Sequence, residues 1–221
     1  MNYLKWAEQT ITDFSDSNIS SLYNEGYLLT REHRGSMYQT RSLRVDLSKF
    51  ELTSENRRVL KKIEDLRFKI EDLPLKNYDW KIGKMAKDFY ETKFGKGIFS
   101  ANKVKELLTI EHNFNKLLTY TIAECRMQNA ECTNGYCICY ENKDVLHYSY
   151  PFYNLKSEIC NLGMSMMLNA IIWAKENNKK YVYLGSAKDE KAKYKLQFEG
   201  LEWFDGGEWR DDLDKLKSIL K

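Results

Sequence analysis

The segment Asn161 to Asn177 constrains the fold of this chain more than any other stretch, because it predicts a strongly apolar helix. A helix that is apolar on nearly every side must be covered by other parts of the protein. Tyr181 to Leu184 follows closely and is predicted to be a short buried strand. Three strand-like runs precede the helix: Leu117 to Glu124, Gly135 to Glu141 and Val145 to Tyr150. The second half of the chain is therefore predicted to pack a sheet against a central helix.

The remaining segments complete the predicted order of elements. Lys188 to Phe198 is predicted to be a helix, Leu201 to Phe204 a strand and Asp211 to Leu220 a final helix. A meander followed by strand, helix, strand, helix and strand is the order of an N-acetyltransferase-like (GNAT) fold. We therefore predict an α+β or α/β protein with a mixed central sheet flanked by helices. Residues 101–221 are expected to form its acetyltransferase-like domain.

The first half, residues 1–100, is predicted to be an α+β unit with a basic surface. Its predicted strands are Ser20 to Leu29 and Met37 to Leu47, and its predicted amphipathic helices are Ser54 to Leu66 and Lys81 to Phe94. Between residues 31 and 62 nine Lys or Arg stand against four acids, in a chain whose net charge is only +3. Between residues 81 and 105 seven Lys stand against two acids. Local basic patches suit a phosphate-backbone partner, although a solvated helix face would also carry them.

The sequence gives no indication of export or membrane insertion. Met1 to Ser21 is polar, and the apolar run Leu162 to Ala174 is too short to cross a bilayer. An odd number of cysteines without an export signal favours reduced thiols. Their spacing does not match the usual zinc-ligand pairs. We therefore predict a cytoplasmic protein without a metal. The five cysteines are Cys125, Cys132, Cys137, Cys139 and Cys160.

The segment before the central helix argues against acetyl-CoA as the acyl donor. Enzymes of this fold bind the CoA pyrophosphate with a glycine-rich turn and the N-terminus of the central helix. The corresponding stretch, Tyr150 to Gly163, contains one glycine. The sequence also lacks a GxxxxGK[ST] phosphate loop, a GxSxG elbow and an HExxH pair. His147 lies beside Tyr148 within the predicted strand Val145 to Tyr150. It is interpreted as a structural residue rather than as a general base.

An acyl transfer that needs no cofactor fits these observations better. The aminoacyl ester of a charged tRNA is already activated, and attack by a peptide α-amine needs orientation, loss of one proton and stabilisation of an oxyanion. Such an enzyme requires a basic surface for tRNA and an aromatic-lined polar groove. The chain has both kinds of residue and has no CoA loop.

Two stretches resemble the arginyl- and leucyl-tRNA–protein transferase family. The first is YQTRSLRVDLSKFELTSENRRVLKK, and it resembles the N-terminal motif of that family. The second runs from Tyr148 to Trp209 and contains YSYPFYNL, YVYLG and YKLQFEGLEWF. The matching residues are Tyr38, Arg44, Val45, Phe50, Ser54, Arg57 and Arg58, then Tyr183, Leu184, Gly185, Tyr194, Lys195, Phe198, Leu201 and Glu202.

The resemblance implies a doubled acetyltransferase-like fold, an aminoacyl-tRNA donor that carries arginine or leucine, and an acceptor protein N-terminus in an N-degron role. The chain departs from the family at three places. The N-terminal cysteine cluster is absent, because Tyr38 is followed by QTRSL. Asn154 stands where the family usually has an aspartate, and an amide cannot act as a base. The stretch between Gly185 and Tyr194 is shorter than in the family, and polar Lys188, Asp189 and Glu190 replace residues that are usually aromatic or apolar. The donor and the acceptor can therefore both differ from those of the family.

The resemblance also suggests which residues form the site. Asn154, Tyr194, Lys195 and Glu202 are the candidate catalytic residues, with Glu202 an available carboxylate. Basic side chains are expected to contact tRNA phosphates, aromatic rings to stack on the terminal adenosine, and Gly185 to lie beside the substrate. The basic candidates are Arg41, Arg44, Arg57, Arg58 and Lys61, and the aromatic ones are Tyr148, Tyr150 and Tyr153.

Two other functions stay open at this point. A CoA-dependent N-acyltransferase with an unusual loop is one, and the single glycine before the central helix opposes it. A non-catalytic relative that binds tRNA or protein N-termini is the other, and Asn154 and the missing cysteines favour it.

Overall fold

Residues 4–63, 66–122, 133–157 and 161–220 are described by the structure, a computed structural model. Cys125, Cys132 and Cys160 lie outside these ranges. The strands are β1 (Ala7–Thr10), β2 (Tyr27–Leu29), β3 (Ser36–Gln39), β4 (Ser42–Asp46), β5 (Leu66–Asp72), β6 (Lys116–Ile122), β7 (Thr133–Glu141), β8 (Val145–Tyr153), β9 (Tyr181–Ser186), β10 (Leu201–Phe204) and β11 (Trp209–Arg210). The helices are α1 (Asp16–Asn24), α2 (Ser54–Lys61), α3 (Trp80–Phe94), α4 (Ala101–Thr109), α5 (Leu162–Glu176) and α6 (Leu213–Ile219), with a 3-10 helix at Glu190–Gln197.

Eight strands form one mixed sheet in the order β11-β10-β4-β9-β8-β7-β6-β5. The neighbours β8 and β9 run parallel, as the crossover through α5 requires. The other described pairs of this sheet are antiparallel. β1, β3 and β2 form a separate three-stranded sheet. The predicted fold class, a mixed central sheet flanked by helices, is confirmed, and strands from both sides of residue 100 pair within the large sheet.

The alternation of side chains along each strand divides the core into two layers. On β8, Leu146 and Tyr148 belong to the layer that contains α2, α5, the 3-10 helix and α6. Val145 belongs to the opposite layer, which contains α1, α3, α4 and the small sheet. α5 has buried residues on most sides, including Met166, Leu168 and Ile171, which agrees with its apolar sequence. No helix among the described residues is long and apolar enough to cross a membrane.

Sequence reasoning placed most elements of the second half correctly and missed β1, α1 and β5 in the first half. The predicted single strand Met37 to Leu47 is wrong as well, because β3 and β4 are separate strands that belong to different sheets. The prediction that Ser20 to Leu29 is one strand is wrong, because α1 occupies residues 16–24 and β2 begins only at Tyr27. Ser15 caps this helix by accepting a hydrogen bond from the backbone N–H of Asn18. The buried pair Ile19 and Tyr23 has the i,i+4 spacing of a helix. The predicted helix Ser54 to Leu66 ends as α2 at Lys61, and β5 begins at Leu66.

Arg44 and Glu202 form a buried ion pair that joins β4 to β10 at a point of direct register. Both Nε and Nη2 of Arg44 lie 2.8 Å from the same carboxylate oxygen, Oε2. The guanidinium also lies over the rings of Tyr181 and Trp209, at 4.0 and 3.9 Å from their centroids. Lys49, whose side chain is exposed, donates from Nζ to the other carboxylate oxygen, Oε1, at a distance of 2.9 Å. The pair therefore ties together four neighbouring strands of the sheet.

We expect Glu202→Gln to lower the free energy of unfolding by about 3 kcal/mol, because it leaves the buried guanidinium without a counter-charge. Lys49→Met is the matched control, since it removes the exposed partner of the same carboxylate and should cost less than about 1 kcal/mol. Urea denaturation measures both. Equal effects of the two substitutions would contradict a structural role for the buried pair.

Candidate active site

A cleft opens where β8 and β9 separate. Their parallel pairing covers three residue pairs and ends at His147 and Tyr183. Beyond that point the two strands enclose a cavity of about 310 Å³. β8 and β9 form its sides, Met167 of α5 and the 3-10 helix close it on one face, and β2, β3 and α3 close it on the other. The cleft therefore combines residues from both core layers at the edge of the central crossover.

A β-bulge in β8 shapes the mouth of this cleft. Tyr148 pairs with Cys139 and Tyr150 pairs with Ile138, so Ser149 is an extra residue without a partner across the ladder. The bulge reverses the alternation of side chains. Tyr148 packs in the layer of α5, whereas Tyr150 packs in the opposite layer. Ser149 lies between them and lines the cavity.

His147 lies at the base of the cleft with both ring nitrogens in hydrogen bonds. Nδ1 is 2.8 Å from the hydroxyl oxygen of Tyr23 on α1, and Nε2 is 2.8 Å from the hydroxyl oxygen of Ser149. The ring is 3% exposed. Burial, and then the positive charge of Lys195, lower its pKa to about 3. His147 is therefore a neutral imidazole at physiological pH.

Lys195 supplies a positive charge to the cleft from the 3-10 helix. Its Nζ donates to the backbone carbonyl of Leu184 at 2.6 Å and lies 3.5 Å from the carbonyl of Ser186. Burial lowers its pKa to about 8. Gly185, between these carbonyls, has φ +79, and an added Cβ would lie 3.6 Å from Nζ. None of the described residues that line the cavity carries a carboxylate, so the ammonium has no counter-ion there.

Three tyrosines of the predicted site line the cleft, Tyr148 and Tyr150 predicted to stack on a base and Tyr194 predicted to be catalytic, and they differ in how much of each ring a ligand can reach. Tyr194 is 50% exposed and presents its ring at the cleft mouth. Tyr150 is half-buried and meets Phe99 edge to face. Tyr148 is 2% exposed, and so its ring belongs to the core although it lines the cavity. Of the three, Tyr194 is the one best placed to stack on an unpaired base.

A second, larger cavity of about 690 Å³ lies beside the cleft, between α3 and the end of β8. Phe89 of α3 lines both cavities. Asn154 and Tyr153 line the larger one. The side-chain oxygen of Asn154 accepts from the backbone N–H of Lys156 at 3.0 Å, which is the geometry of a turn residue. The structure therefore places Asn154 in a neighbouring groove and not among the residues of the cleft.

The structure brings together some of the residues predicted from the sequence and separates others. Glu202 and Arg44 are held in their ion pair and do not line the cleft. Arg41 is half-buried next to the cleft, and its guanidinium donates to the backbone carbonyl of Ala187 at 3.3 Å. The exposed side chains of α2 lie on the side of the sheet opposite α3. Residues of the predicted site that line the cleft are Tyr148, Tyr150, Gly185, Tyr194 and Lys195, and those exposed on α2 are Arg57, Arg58 and Lys61.

Sequence reasoning missed the contribution of Ser149 and Tyr23. Tyr23 lies more than a hundred residues from His147 in the chain and was assigned to a strand, so nothing local linked the two. Ser149 stands in a strand-like run, and no pattern in that run marks a bulge.

A concave cleft lined by apolar and aromatic side chains with one cation is the kind of site that binds a small substrate group. Residues 79–205, more than half of the chain, match the family described as "Arginine-tRNA-protein transferase, C terminus". The chain belongs to this family. It is an aminoacyltransferase whose substrates are an aminoacyl-tRNA and a protein.

Individual relatives agree with this assignment. The chain is 24% identical over 223 residues to the aspartate/glutamate leucyltransferase of Xylella fastidiosa strain M23, and the match covers 93% of this chain and 85% of the relative. The proteins of strains Temecula1 and 9a5c give the same figures.

Two solved structures have a related shape. L-PGS from Bacillus licheniformis has a TM-score of 0.49 and 13% identity over 93% of this chain and 70% of its own. FemX has a TM-score of 0.48 and 9% identity over 82% of this chain and 62% of its own.

We expect Gly185→Ala to lower kcat/KM for aminoacyl transfer at least about 10-fold, because it strains a left-handed backbone next to the Lys195 ammonium. Gly206→Ala is the control. Gly206 also has a positive φ, +111, and lies in the β10–β11 turn outside both cavities. Both variants should lose stability in thermal melts, and only the first should lose transfer per folded molecule. A parallel loss of transfer in both would show that the effect comes from backbone strain alone.

Proposed function

We propose that this enzyme transfers leucine from leucyl-tRNA to the N-terminal α-amine of proteins that begin with aspartate or glutamate. The observation that carries the proposal is the charge of the cleft: Lys195 is a cation in a largely apolar cavity whose described lining has no carboxylate. The product would carry a new N-terminal leucine, which fits the N-degron role implied by the family.

The lining of the cleft favours an apolar donor side chain. Leu28, Leu29, Met167 and Leu184 are all buried and contribute apolar surface to the cavity. A leucyl side chain would bury its methyl groups against such a surface. An arginyl side chain would bring a second cation towards Lys195 with no carboxylate to accept it. Leucine is also the amino acid in the name of the Xylella fastidiosa relatives.

The same charge favours an acidic acceptor residue. A carboxylate of N-terminal Asp or Glu would pair with the Lys195 ammonium in a partly dry site, where a charge-assisted hydrogen bond is strong. Arg41, next to the cleft, has no described carboxylate partner and would add to the positive potential. The neutral α-amine then attacks the ester carbonyl, and orientation in the cleft supplies much of the rate enhancement.

The groove beside the cleft is the best-placed surface for the acceptor end of tRNA. Lys81, Lys96 and Lys156 line it, are exposed and form no ion pair with a carboxylate among the described residues, so their charges are free for phosphates. Phe89 lines both this groove and the cleft, so a 3′ end bound in the groove would lie next to the cleft. Tyr194 would then stack on the terminal base. On α2, by contrast, Arg58 is already paired with Glu55 at 2.7 Å.

The test of the function is a transfer assay with purified leucyl-, arginyl-, phenylalanyl- and methionyl-tRNA and peptides that begin with Asp, Glu, Asn, Arg or Lys. The proposal expects label from leucyl-tRNA on the Asp and Glu peptides. Label from arginyl-tRNA in place of leucyl-tRNA would show that the transferred amino acid is arginine and would contradict the proposed donor. Tight tRNA binding without transfer from any donor would support the non-catalytic alternative, and transfer from an acyl-CoA would support the CoA-dependent one.

The preference for acidic acceptors is expected to depend on pH through Lys195. Burial lowers the pKa of its ammonium to about 8, so the cation is present below this pH and is lost as the pH rises through it. The ratio of kcat/KM for an Asp peptide to that for the matched Asn peptide should therefore fall above pH 8. Titration of the α-amine affects both peptides alike and largely cancels in the ratio.

Lys195→Met should abolish this pH dependence and lower the ratio at pH 7 at least about 30-fold, the equivalent of about 2 kcal/mol for a lost buried charge pair. Lys193→Met, an exposed lysine of the same 3-10 helix, is the control and should leave the ratio unchanged. A ratio that Lys195→Met leaves intact would exclude Lys195 as the acceptor-binding residue.

The route of the tRNA is tested by charge reversal on the two basic surfaces. The double variant Lys81→Glu, Lys156→Glu should weaken tRNA binding and reduce the slope of log K against log salt by about 2, one for each phosphate contact. The double variant Arg57→Glu, Arg58→Glu on α2 is the comparison and should change the slope less. A larger change of the slope in the α2 variant would show that tRNA binds the α2 surface, which the sequence favoured, and not the groove.

A further inference from the structure

Three side chains form a hydrogen-bonded series from the protein core to the cleft. The hydroxyl of Tyr23 lies 2.8 Å from Nδ1 of His147, and Nε2 of His147 lies 2.8 Å from the hydroxyl of Ser149. Tyr23 is fully buried on α1, whereas Ser149 is half-buried and lines the cavity. The series therefore connects a rigid element of the core to a hydroxyl at the candidate site.

The protons in this series have a preferred direction. Burial, and then the nearby hydroxyl of Tyr140, raise the pKa of Tyr23 well above 10, so the phenol keeps its proton. The hydroxyl of Tyr23 is fully buried, and among the described residues its hydrogen-bond partner is Nδ1 of His147. Because a buried hydroxyl proton without an acceptor is costly, Tyr23 donates its proton to Nδ1 of His147. Because the imidazole is neutral, Nε2 then carries the ring proton and donates to Ser149.

Ser149 is consequently left with a proton to donate into the cleft. Its oxygen accepts from His147, and no described residue accepts the proton of its hydroxyl. The bulge holds this residue out of the strand ladder, at the point where β8 and β9 separate. A hydroxyl fixed in this way is a preorganised donor, which is what a developing oxyanion requires.

We propose that Ser149 donates a hydrogen bond to the carbonyl oxygen of the aminoacyl ester while that oxygen gains negative charge, and that His147 and Tyr23 are positioning residues for it. The inference rests on the proposed aminoacyl transfer. In that reaction the neutral α-amine forms a bond to the acyl carbon, and the bond from this carbon to the ribose oxygen of tRNA breaks. One amine proton ends on the leaving ribose hydroxyl, and Ser149 keeps its own proton throughout.

The alternative role, in which His147 takes the amine proton through Ser149, requires the opposite orientation of the series. Tyr23 would then have to accept from Nδ1 and His147 would have to become an imidazolium inside the core, next to the charge of Lys195. The two groups that form hydrogen bonds with the imidazole, Tyr23 and Ser149, are neutral hydroxyls. The ammonium of Lys195 disfavours a second positive charge on His147. The two roles predict different tautomers and different pH profiles.

The experiment compares Ser149→Ala and Ser149→Thr in steady-state transfer from leucyl-tRNA to an Asp peptide. Loss of one oxyanion donor should lower kcat about 100- to 1,000-fold with little change in the KM for the peptide. Ser149→Thr keeps a hydroxyl at the same position and should recover most of the activity. Tyr23→Phe should lower kcat by a smaller factor, about 10-fold, without adding or removing a kinetic pKa.

Nitrogen-15 NMR of His147 in the native protein gives a second readout that does not depend on the folding of a variant. The inference expects the tautomer protonated at Nε2, without titration between pH 5 and 8 (about 6.5 is the ordinary pKa of histidine). A tautomer protonated at Nδ1, an imidazolium, or equal kcat in Ser149→Ala and the native enzyme would overturn it. If the native enzyme transfers no amino acid from any charged tRNA, the proposed function fails and the inference falls with it. Transfer by the native enzyme that Ser149→Ala retains defeats this inference alone.

Discussion

The short parallel pairing of β8 and β9 is the constraint on which the rest of the site depends. The strands are joined by the crossover through α5, so they must run parallel, but they stay paired over only three residues. Beyond His147 the two strands are no longer paired, and the cavity between them is lined by side chains from both layers of the core. The cavity, the bulge and the cation of the 3-10 helix all lie at this separation. A longer ladder would have made a more regular sheet and closed the site.

The distribution of charge separates the ion pair within the sheet from the cation of the proposed site. Arg44 and Glu202 match family motifs, yet each satisfies the other within the sheet, and the guanidinium is further covered by two aromatic rings. Lys195 is held by backbone carbonyls, which fix its position without neutralising its charge. A charge held by neutral acceptors remains able to attract a ligand ion, whereas one held by an opposite charge does not. The contrast explains why Lys195 carries the proposed specificity.

Much of the fold could be predicted from the sequence, and the reasons for the failures are local. The apolar length of α5 and the alternation in β6 to β10 leave few other arrangements, and these elements were placed within a few residues. α1 was missed because a run with Ile19, Leu22 and Tyr23 suits a strand or a helix equally well, and the Ser15 cap decides between them. β5 was missed because the apolar positions of α2 run on into it without a breaker such as Gly or Pro.

The site was predicted less completely than the fold. Tyr194, Lys195 and Gly185 were found through the family resemblance, and the structure places them in one cleft. Glu202 was singled out because it is a carboxylate in a motif, and the sequence does not reveal that its partner is buried beside it. The series of Tyr23, His147 and Ser149 depends on a contact across the chain and on a bulge, neither of which leaves a local pattern.

The bulge at Ser149 shifts the alternation of side chains in β8 by one residue, so the even-numbered residues face one core layer before it and the opposite layer after it. Before it, even-numbered residues such as Leu146 and Tyr148 face α5, whereas after it Tyr150 and Phe152 face the opposite layer. The number of residues at this point therefore matters independently of which residue stands there. A change of side chain alters only the chemistry at the mouth of the cleft, whereas deletion of Ser149 would convert the bulge into a regular ladder in which Tyr148 and Tyr150 are consecutive, and no extra residue would remain at the mouth of the cleft. Among relatives with freely varying sequences, the length of this strand should accordingly be kept more strictly than its composition.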